Sequence, residues 1–158
     1  EPTIQKNILE FMADIKKLGF LVKLDSNGTR PDVLREAFKR KLVDFASMDI
    51  KNSPEKYSRT AGVEADLERV KLSVKLIQNS GKDYEFRTTV VPGFHEEDDF
   101  LRIAKWLEGS KKYALQKFRD EGKLLDESIR KDIDKYSEID LEKVKKKIEG
   151  YFGEVEVR

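Results

Sequence analysis

The sequence predicts an α/β protein in which parallel strands alternate with helices. In section after section, apolar residues at helical spacing are followed by a short apolar run of strand length. The connections are compact, and parallel strands need helical crossovers between them. We therefore expect an α/β layer or part of a parallel barrel. The 158 residues fall short of the roughly 200 to 250 that a complete eight-stranded barrel takes.

The first part of the chain repeats a helix–strand pair. Gly19 supplies a stop for the first helix, Pro31 fits the first turn of the second, and Asp25 to Gly28 form a turn signal. The predicted elements are a helix over 3–18, a strand over 20–24, a helix over 31–42 and a strand over 43–50. Residues 51–63 predict an extended loop after that strand, where functional residues are common.

The second part continues the alternation and then loses it. The predicted elements are a helix over 65–80, a strand over 84–91, a helix around 100–107, a strand over 112–116, a polar loop over 119–127, a helix around Ile129, Ile133 and Tyr136, a last helix around 141–148 and a short strand at 155–157. Residues 1–119 thus predict the α/β part, and residues 120–158 predict a helical cap with a short terminal strand.

Composition excludes several classes of function. The 32 Lys and Arg residues nearly balance 31 Asp and Glu residues, so the excess positive charge typical of nucleic-acid binding is missing. No apolar stretch is long enough to span a bilayer, and no secretion signal is evident. The lack of cysteine excludes disulfides, thiolate zinc sites and iron–sulfur clusters held by this chain's own thiolates. The balance fits a cytoplasmic protein.

Polar residues lie where successive strands are predicted to end, which is where parallel α/β proteins bind their ligands. They comprise carboxylates, cations and amides: Asp25, Asn27, Asp49, Lys51, Arg87 and Gln116. Carboxylates accept hydrogen bonds from an ammonium group or sugar hydroxyls, whereas Lys51 and Arg87 can bind a carboxylate. The mixture predicts a site for a zwitterion.

Each of these residues also has an ordinary structural interpretation. Asp25 and Asn27 can make local turn bonds, and Asp49 and Lys51 can form a surface ion pair. Arg87 lies in an apolar run, so it needs either a structural carboxylate or a ligand. His95, the single histidine, is predicted to be a loop residue rather than a catalytic base.

Motifs at these positions resemble the glycyl-radical-enzyme activases of the radical S-adenosylmethionine superfamily. Glu1-Pro2-Thr3 resembles the end of the Gly-Gly-Glu-Pro-Thr motif of that superfamily. It is followed in order by the segments 23–31, 48–51, 84–93 and 115–119. The resemblance covers about residues 1–119. It is strongest to activating proteins of anaerobic ribonucleoside-triphosphate reductase, and next to pyruvate formate-lyase activating enzymes.

The resemblance implies an incomplete (βα)6 barrel, TIM-like, that binds S-adenosylmethionine. Glu1 and Asp25 would face the methionine amino group, and Lys51 and Arg87 would hold the carboxylate or ribose region together with Asp49. A monovalent cation could border Asp25 and Asp49. Family chemistry uses a reduced [4Fe-4S] cluster and a 5′-deoxyadenosyl radical to abstract hydrogen from a glycine of a partner enzyme. The implied partner is a glycyl radical enzyme, with anaerobic ribonucleotide reductase as one candidate.

The sequence departs from the family in one respect, because family members carry a three-cysteine loop and this chain has no cysteine. We expect that the first strands and the cluster ligands belong to a preceding segment. On this interpretation the intact parent is a radical S-adenosylmethionine oxidoreductase, and the chain alone has no catalytic residues of its own and is inactive. The alternative is a cysteine-free binding or interaction module. An exposed sheet edge further predicts a homo-oligomer.

Overall fold

The computed structural model describes residues 1–119, 133 and 135–158. The strands are β1 (Lys23–Ser26), β2 (Phe45–Asp49), β3 (Asp83–Val90), β4 (Lys112–Lys117) and β5 (Glu154–Val157). The α-helices are α1 (Ile8–Lys17), α2 (Pro31–Lys39), α3 (Tyr57–Ala61), α4 (Leu67–Gln78), α5 (Glu97–Trp106) and α6 (Leu141–Ile148). Short 3₁₀ helices cover Pro2–Ile4, Pro54–Lys56 and Glu149–Tyr151.

The strands form one parallel sheet in the order β1-β2-β3-β4-β5, which confirms the predicted α/β class. Lys23 pairs with Phe45 at the start of the β1–β2 ladder, and Lys112 pairs with Glu154 at the start of the β4–β5 ladder. In this strand order β1 and β5 are the edge strands. Among the described residues, no helix combines the length and apolar character needed to cross a bilayer.

The chain divides into two compact units. Unit 1 contains Glu1–Ile50 and Ala65–Phe86, and unit 2 contains Lys51–Glu64 and Arg87–Arg158. The boundary runs through β3, and it also separates Asp49 from Lys51. The division predicted near residue 119 is a different one and stays a prediction.

The core of unit 1 lies between the sheet and the helices α2 and α4, where Leu34, Val70 and Ile77 are completely buried. Gly28 lies close to this core with φ +77°, and a Cβ at this position would lie 2.0 Å from Met48 Cε. The Ser73 hydroxyl donates a hydrogen bond of 2.7 Å to the Gly28 carbonyl. Only glycine fits there without strain, so this contact fixes the loop that follows β1.

The core of unit 2 is built from α5, α6 and β4. Tyr113 is completely buried; its ring stacks on Phe152 at 4.9 Å and its hydroxyl contacts the Thr88 hydroxyl at 2.7 Å. Burial raises the pKa of Tyr113. Helix α5 begins with a capping box in which Glu96 and Asp99 each accept from the other's backbone N–H.

Three predicted elements differ from the structure. β1 begins at Lys23 rather than at residue 20, and Phe20 and Leu21 are 62% and 80% exposed. The segment 51–63 is not an extended loop, because it contains a 3₁₀ turn and α3. The helix predicted over 3–18 is a 3₁₀ turn followed by α1. The loop over 119–127 and the helix around Ile129 lie largely outside the described residues.

Candidate functional site

In unit 1, the carboxylate of Glu1 binds the chain just after β1. One carboxylate oxygen accepts a 2.5 Å bond from the Asn27 backbone N–H. The other accepts from the Thr3 N–H at 3.1 Å, from the Thr3 hydroxyl, and from the Ser26 hydroxyl at 3.3 Å. Charge-assisted bonds to backbone N–H groups are stronger than neutral ones. The structure therefore brings together two of the predicted site residues, Glu1 and Asn27.

The side chain of Asn27 serves its own loop. Its Oδ1 accepts from the Thr29 N–H at 3.1 Å and from the Thr29 hydroxyl at 2.7 Å, which is an Asx turn. The local-turn interpretation is thus the observed one for this side chain. The group of Asn27 that contacts Glu1 is its backbone N–H, which donates a hydrogen bond to the Glu1 carboxylate.

Asp25 belongs to a charged cluster within unit 1. The ammonium of Lys23 lies 3.7 Å from Asp25 Oδ1 and 4.0 Å from Glu85 Oε1. Glu85 is only 3% exposed, and it accepts a 2.9 Å hydrogen bond from the Ser47 hydroxyl. Because a buried carboxylate needs a counter-charge and hydrogen bonds, Lys23 and Ser47 are the groups that make Glu85 tolerable there.

The remaining predicted residue of unit 1, Asp49, is the last residue of β2 and is half-buried. In unit 2, Arg87 lies in β3 and Gln116 in β4, both half-buried. Lys51 lies two residues after the end of β2, and its carbonyl accepts a 2.8 Å bond from His95 Nε2.

The segment after Lys51 is tied down within unit 2. Asn52 is completely buried; its side-chain amide donates to the Thr60 hydroxyl at 2.8 Å and to the Phe94 carbonyl at 2.9 Å. Its Oδ1 accepts from the Ser53 N–H at 2.6 Å. Lys56 adds ion pairs with the carboxylates that cap α5. Lys51, which was predicted to lie at the carboxyl end of β2, is therefore followed by a segment that side-chain hydrogen bonds and ion pairs hold in place.

A cavity of about 450 Å³ lies in unit 2 beyond the last residues of β3, β4 and β5. Val90, Lys117 and Val157 contribute to its wall, together with Phe118 and Arg119. The motif segment 115–119 therefore contributes three of its residues to a strand-end cavity, although Gln116 itself does not line it.

Comparison with known proteins decides the family. The chain is 35% identical over its whole length to a protein of Methanocaldococcus jannaschii that is named as a glycyl-radical enzyme activating enzyme, and it covers 67% of that relative. The chain belongs to the glycyl-radical enzyme activating enzymes. The resemblance inferred from the motifs is thereby confirmed. No model of a known protein family matches the sequence.

The fold agrees with this family. A crystal structure of a domain of pyruvate-formate lyase-activating enzyme from Bacteroides vulgatus superposes with a TM-score of 0.67, covering 98% of this chain and 93% of that one. At 12% identity this likeness establishes the fold alone. The sheet order and the parallel strands are those expected for part of such a barrel.

The residues of this activating-enzyme chain do not fit an iron–sulfur cluster. The sequence has no cysteine, and the described residues contain no group of three His, Asp or Glu side chains able to hold a metal ion. The Lys23 ammonium lies 3.7 Å from Asp25 Oδ1 in unit 1. The predicted monovalent cation at Asp25 and Asp49 stays a prediction.

Sequence reasoning missed four polar residues, three in the cluster around Asp25 and one in the segment after Lys51: Lys23, Ser47, Glu85 and Asn52. A signal existed for Glu85, because it lies in the same apolar run as Arg87 and the same cost of a buried charge applies to it. For Lys23, Ser47 and Asn52 the sequence carries no such signal, because only their neighbours in the structure distinguish them from other polar residues. The β1–β2 register aligns Ser47 with Asp25, and it is this register that places the two polar side chains on the same face of the sheet.

Proposed function

We propose that this chain binds S-adenosylmethionine as part of an activating enzyme that generates a glycyl radical on a partner enzyme. The observation that carries the proposal is the 35% identity to a named activating enzyme along the whole chain. The partner would be a glycyl radical enzyme, with anaerobic ribonucleotide reductase as one candidate, and the reaction an oxidoreductase reaction of the radical type. We predict a cytoplasmic location.

The donor set suits the two ends of the methionine moiety. Carboxylates bind an ammonium group and cations bind a carboxylate. We assign Asp25 to the amino group and Lys51 and Arg87 to the carboxylate or ribose region. Glu1 and Asn27 belong to the same proposed set: Glu1 would face the amino group with Asp25, and its carboxylate accepts a 2.5 Å bond from the Asn27 N–H.

Asp49, the last residue of β2, and Gln116, the next-to-last residue of β4, complete the proposed set as acceptor and amide. The bound S-adenosylmethionine is the source of the radical in such enzymes, and positioning is the contribution that these residues can make. The reducing cluster would be held by cysteines outside this sequence. We propose that the chain by itself is inactive.

Calorimetric titration with S-adenosylmethionine tests the site. We expect Asp25→Ala and Lys51→Ala each to weaken binding about tenfold, since one charge-assisted hydrogen bond is worth about 1.5 kcal/mol or more. The matched controls are Asp14→Ala and Lys105→Ala, which change exposed side chains of α1 and α5 and should leave binding unchanged. Equal binding by the parent chain and both site variants would overturn the residue assignments.

The alternative is a cysteine-free module that keeps the fold and docks partners without radical chemistry. The coding sequence before Glu1 separates the two. A Gly-Gly pair directly before Glu1 and a three-cysteine loop further upstream support the activating enzyme. Their absence supports the module.

We also propose that the chain self-associates through the β1 edge. Five large apolar side chains in the part of unit 1 that precedes β1 are each more than half exposed: Ile4, Phe11, Leu18, Phe20 and Leu21. Unpaired edges and apolar patches promote association. We expect a concentration-dependent dimer in sedimentation velocity. Leu21→Glu should abolish it, and Leu72→Glu, on α4, should not; a monomeric parent at high concentration contradicts the proposal.

A further inference from the structure

His95 is a buried residue that bonds to two backbone segments of unit 2. It is 4% exposed, and its ring stacks on Phe100 with centroids 5.6 Å apart and planes 20° from parallel. Nε2 lies 2.8 Å from the Lys51 carbonyl oxygen, and Nδ1 lies 3.1 Å from the Val91 backbone nitrogen. The ring thus joins Lys51, two residues after the end of β2, to Val91, the residue that follows β3.

The partners of the ring define its protonation state. A carbonyl oxygen only accepts, so Nε2 must carry the proton that is donated to Lys51. The Val91 N–H donates to Nδ1 at 3.1 Å, which requires the Nδ1 lone pair, and the Val91 carbonyl oxygen also lies 3.3 Å from Nδ1. A single neutral tautomer satisfies both contacts. Protonation at Nδ1 would give up the bond from the Val91 N–H and leave the Val91 carbonyl oxygen, 3.3 Å away, as the acceptor.

The groups around His95 favour the neutral ring on balance. Burial is the largest influence and lowers the pKa of His95, and the charge of Lys56 acts in the same direction. The bonds to Lys51 and Val91 and the charge of Asp99 oppose it. Asp99 is itself held by Lys56 at 3.0 Å, so its negative charge is largely answered by another cation.

The neighbouring contacts do not replace the bond to Lys51. Asn52 and Lys56 anchor the same segment, yet they do so one and five residues further along the chain. The His95 bond, in contrast, is made directly to the backbone carbonyl of Lys51. It therefore fixes the peptide from which the Lys51 side chain extends.

We infer that His95 is a positioning residue for Lys51, and that it sets the affinity for the carboxylate end of S-adenosylmethionine by holding the Lys51 peptide. This inference rests on the proposed function, in which Lys51 binds that carboxylate. His95 itself touches neither ligand nor reacting atoms.

Two substitutions separate positioning from a general structural role. In His95→Gln the side-chain amide nitrogen can replace Nε2 as the donor to Lys51. In His95→Asn the side-chain oxygen can replace Nδ1 as the acceptor from Val91, but nothing reaches Lys51. Both remove the ring from Phe100, so both should lower the melting temperature to a similar extent.

Titration calorimetry with S-adenosylmethionine then gives the decisive comparison. We expect His95→Gln to bind S-adenosylmethionine with an affinity within about threefold of the parent's. His95→Asn should bind it about tenfold more weakly, which corresponds to the loss of roughly one hydrogen bond. Equal affinities of the Asn variant and the parent overturn the inference. An equal loss in both variants also overturns it, because a merely structural role predicts that result.

Amide hydrogen exchange tests the inference even where the ligand does not bind. If the parent and Lys51→Ala both fail to bind S-adenosylmethionine, the proposed function fails, and exchange over Lys51–Ser53 still reports on positioning. We expect faster exchange there in His95→Asn than in His95→Gln. Indistinguishable exchange in the two variants contradicts positioning by His95.

Discussion

The loop after β1 and the segment after β2 hold their site residues by different chemistry. After β1, the ionised Glu1 carboxylate binds the backbone of Asn27, and Lys23 lies between Asp25 and Glu85. After β2, the neutral ring of His95 and the buried amide of Asn52 bind the backbone around Lys51. The first region depends on charged groups, most of which solvent reaches, although Glu85 is buried, and the backbone around Lys51 in the second region depends on buried neutral groups.

The difference predicts how each region responds to perturbation. Exposed or partly exposed ion pairs are individually weak and are screened by salt. A buried neutral group that loses a partner leaves unpaired donors and acceptors, which is costly. We therefore expect point substitutions to damage the segment after β2 more than the loop after β1.

The largest effect should come from Asn52→Ala. It leaves the Phe94 carbonyl, the Thr60 hydroxyl and the Ser53 N–H of a buried region without their present partner. We expect about 2–4 kcal/mol of lost stability in denaturant unfolding. The control is Asn79→Ala, whose side chain makes one exposed bond to the Lys75 carbonyl, with an expected loss of about 0.5 kcal/mol. Equal losses would contradict the proposed difference between the regions.

Gly28→Ala probes the loop after β1 through packing rather than charge. The new Cβ would lie 2.0 Å from Met48 Cε at φ +77°, so both overpacking and backbone strain apply, and we expect a loss of about 2–3 kcal/mol. Gly81→Ala is matched, because Gly81 has φ +69° with open space around it. The control should lose about 1 kcal/mol. A loss no larger than the control's would show that Met48 moves aside freely.

The smallest effect is a difference in pH dependence. The pKa of His95 is lowered from 6.5, mainly by burial, so the unfolded chain binds its proton first and stability falls as the pH drops below about 6.5. The pKa of Asp44, which holds the Val22 N–H before β1, is lowered from 3.8 by Lys16 and by that N–H. Its contribution is present above 3.8 and is lost as the pH falls below that value.

Urea unfolding at a series of pH values checks both windows. His95→Gln should flatten the loss that begins near pH 6.5, and Asp44→Asn should flatten only the loss below pH 3.8. If His95→Gln leaves the decline near neutral pH unchanged, the ring does not remain neutral in the folded protein.

The fold was largely predictable because its signals are local. The apolar stripe of α4, the proline at the start of α2 and the alternation of strands with helices appear in the sequence and recur in the structure. The segment 51–63 was predicted wrongly because Pro54 and Gly62 suggest a loop. Here Pro54 begins a 3₁₀ turn, and Gly62 ends α3 in the left-handed conformation.

The candidate site residues come from the motifs and the strand ends, and their roles stay predictions. Glu1, Asp25 and Lys51 follow from the motifs and from the polar residues at strand ends. The role of His95 depends on a bond across 44 residues, and Glu85 depends on Ser47, 38 residues away. Such partners are set by tertiary packing, so composition and periodicity carry no trace of them.

The central claim is that both regions respond to S-adenosylmethionine, and an NMR titration tests it most directly. In an isotope-labelled sample, the amides of Asn27 and Gly28 and those of Lys51 and Asn52 should shift at saturating ligand. The amides of α6, Leu141–Ile148, should stay in place. Shifts confined to one region, or to α6, would contradict the account.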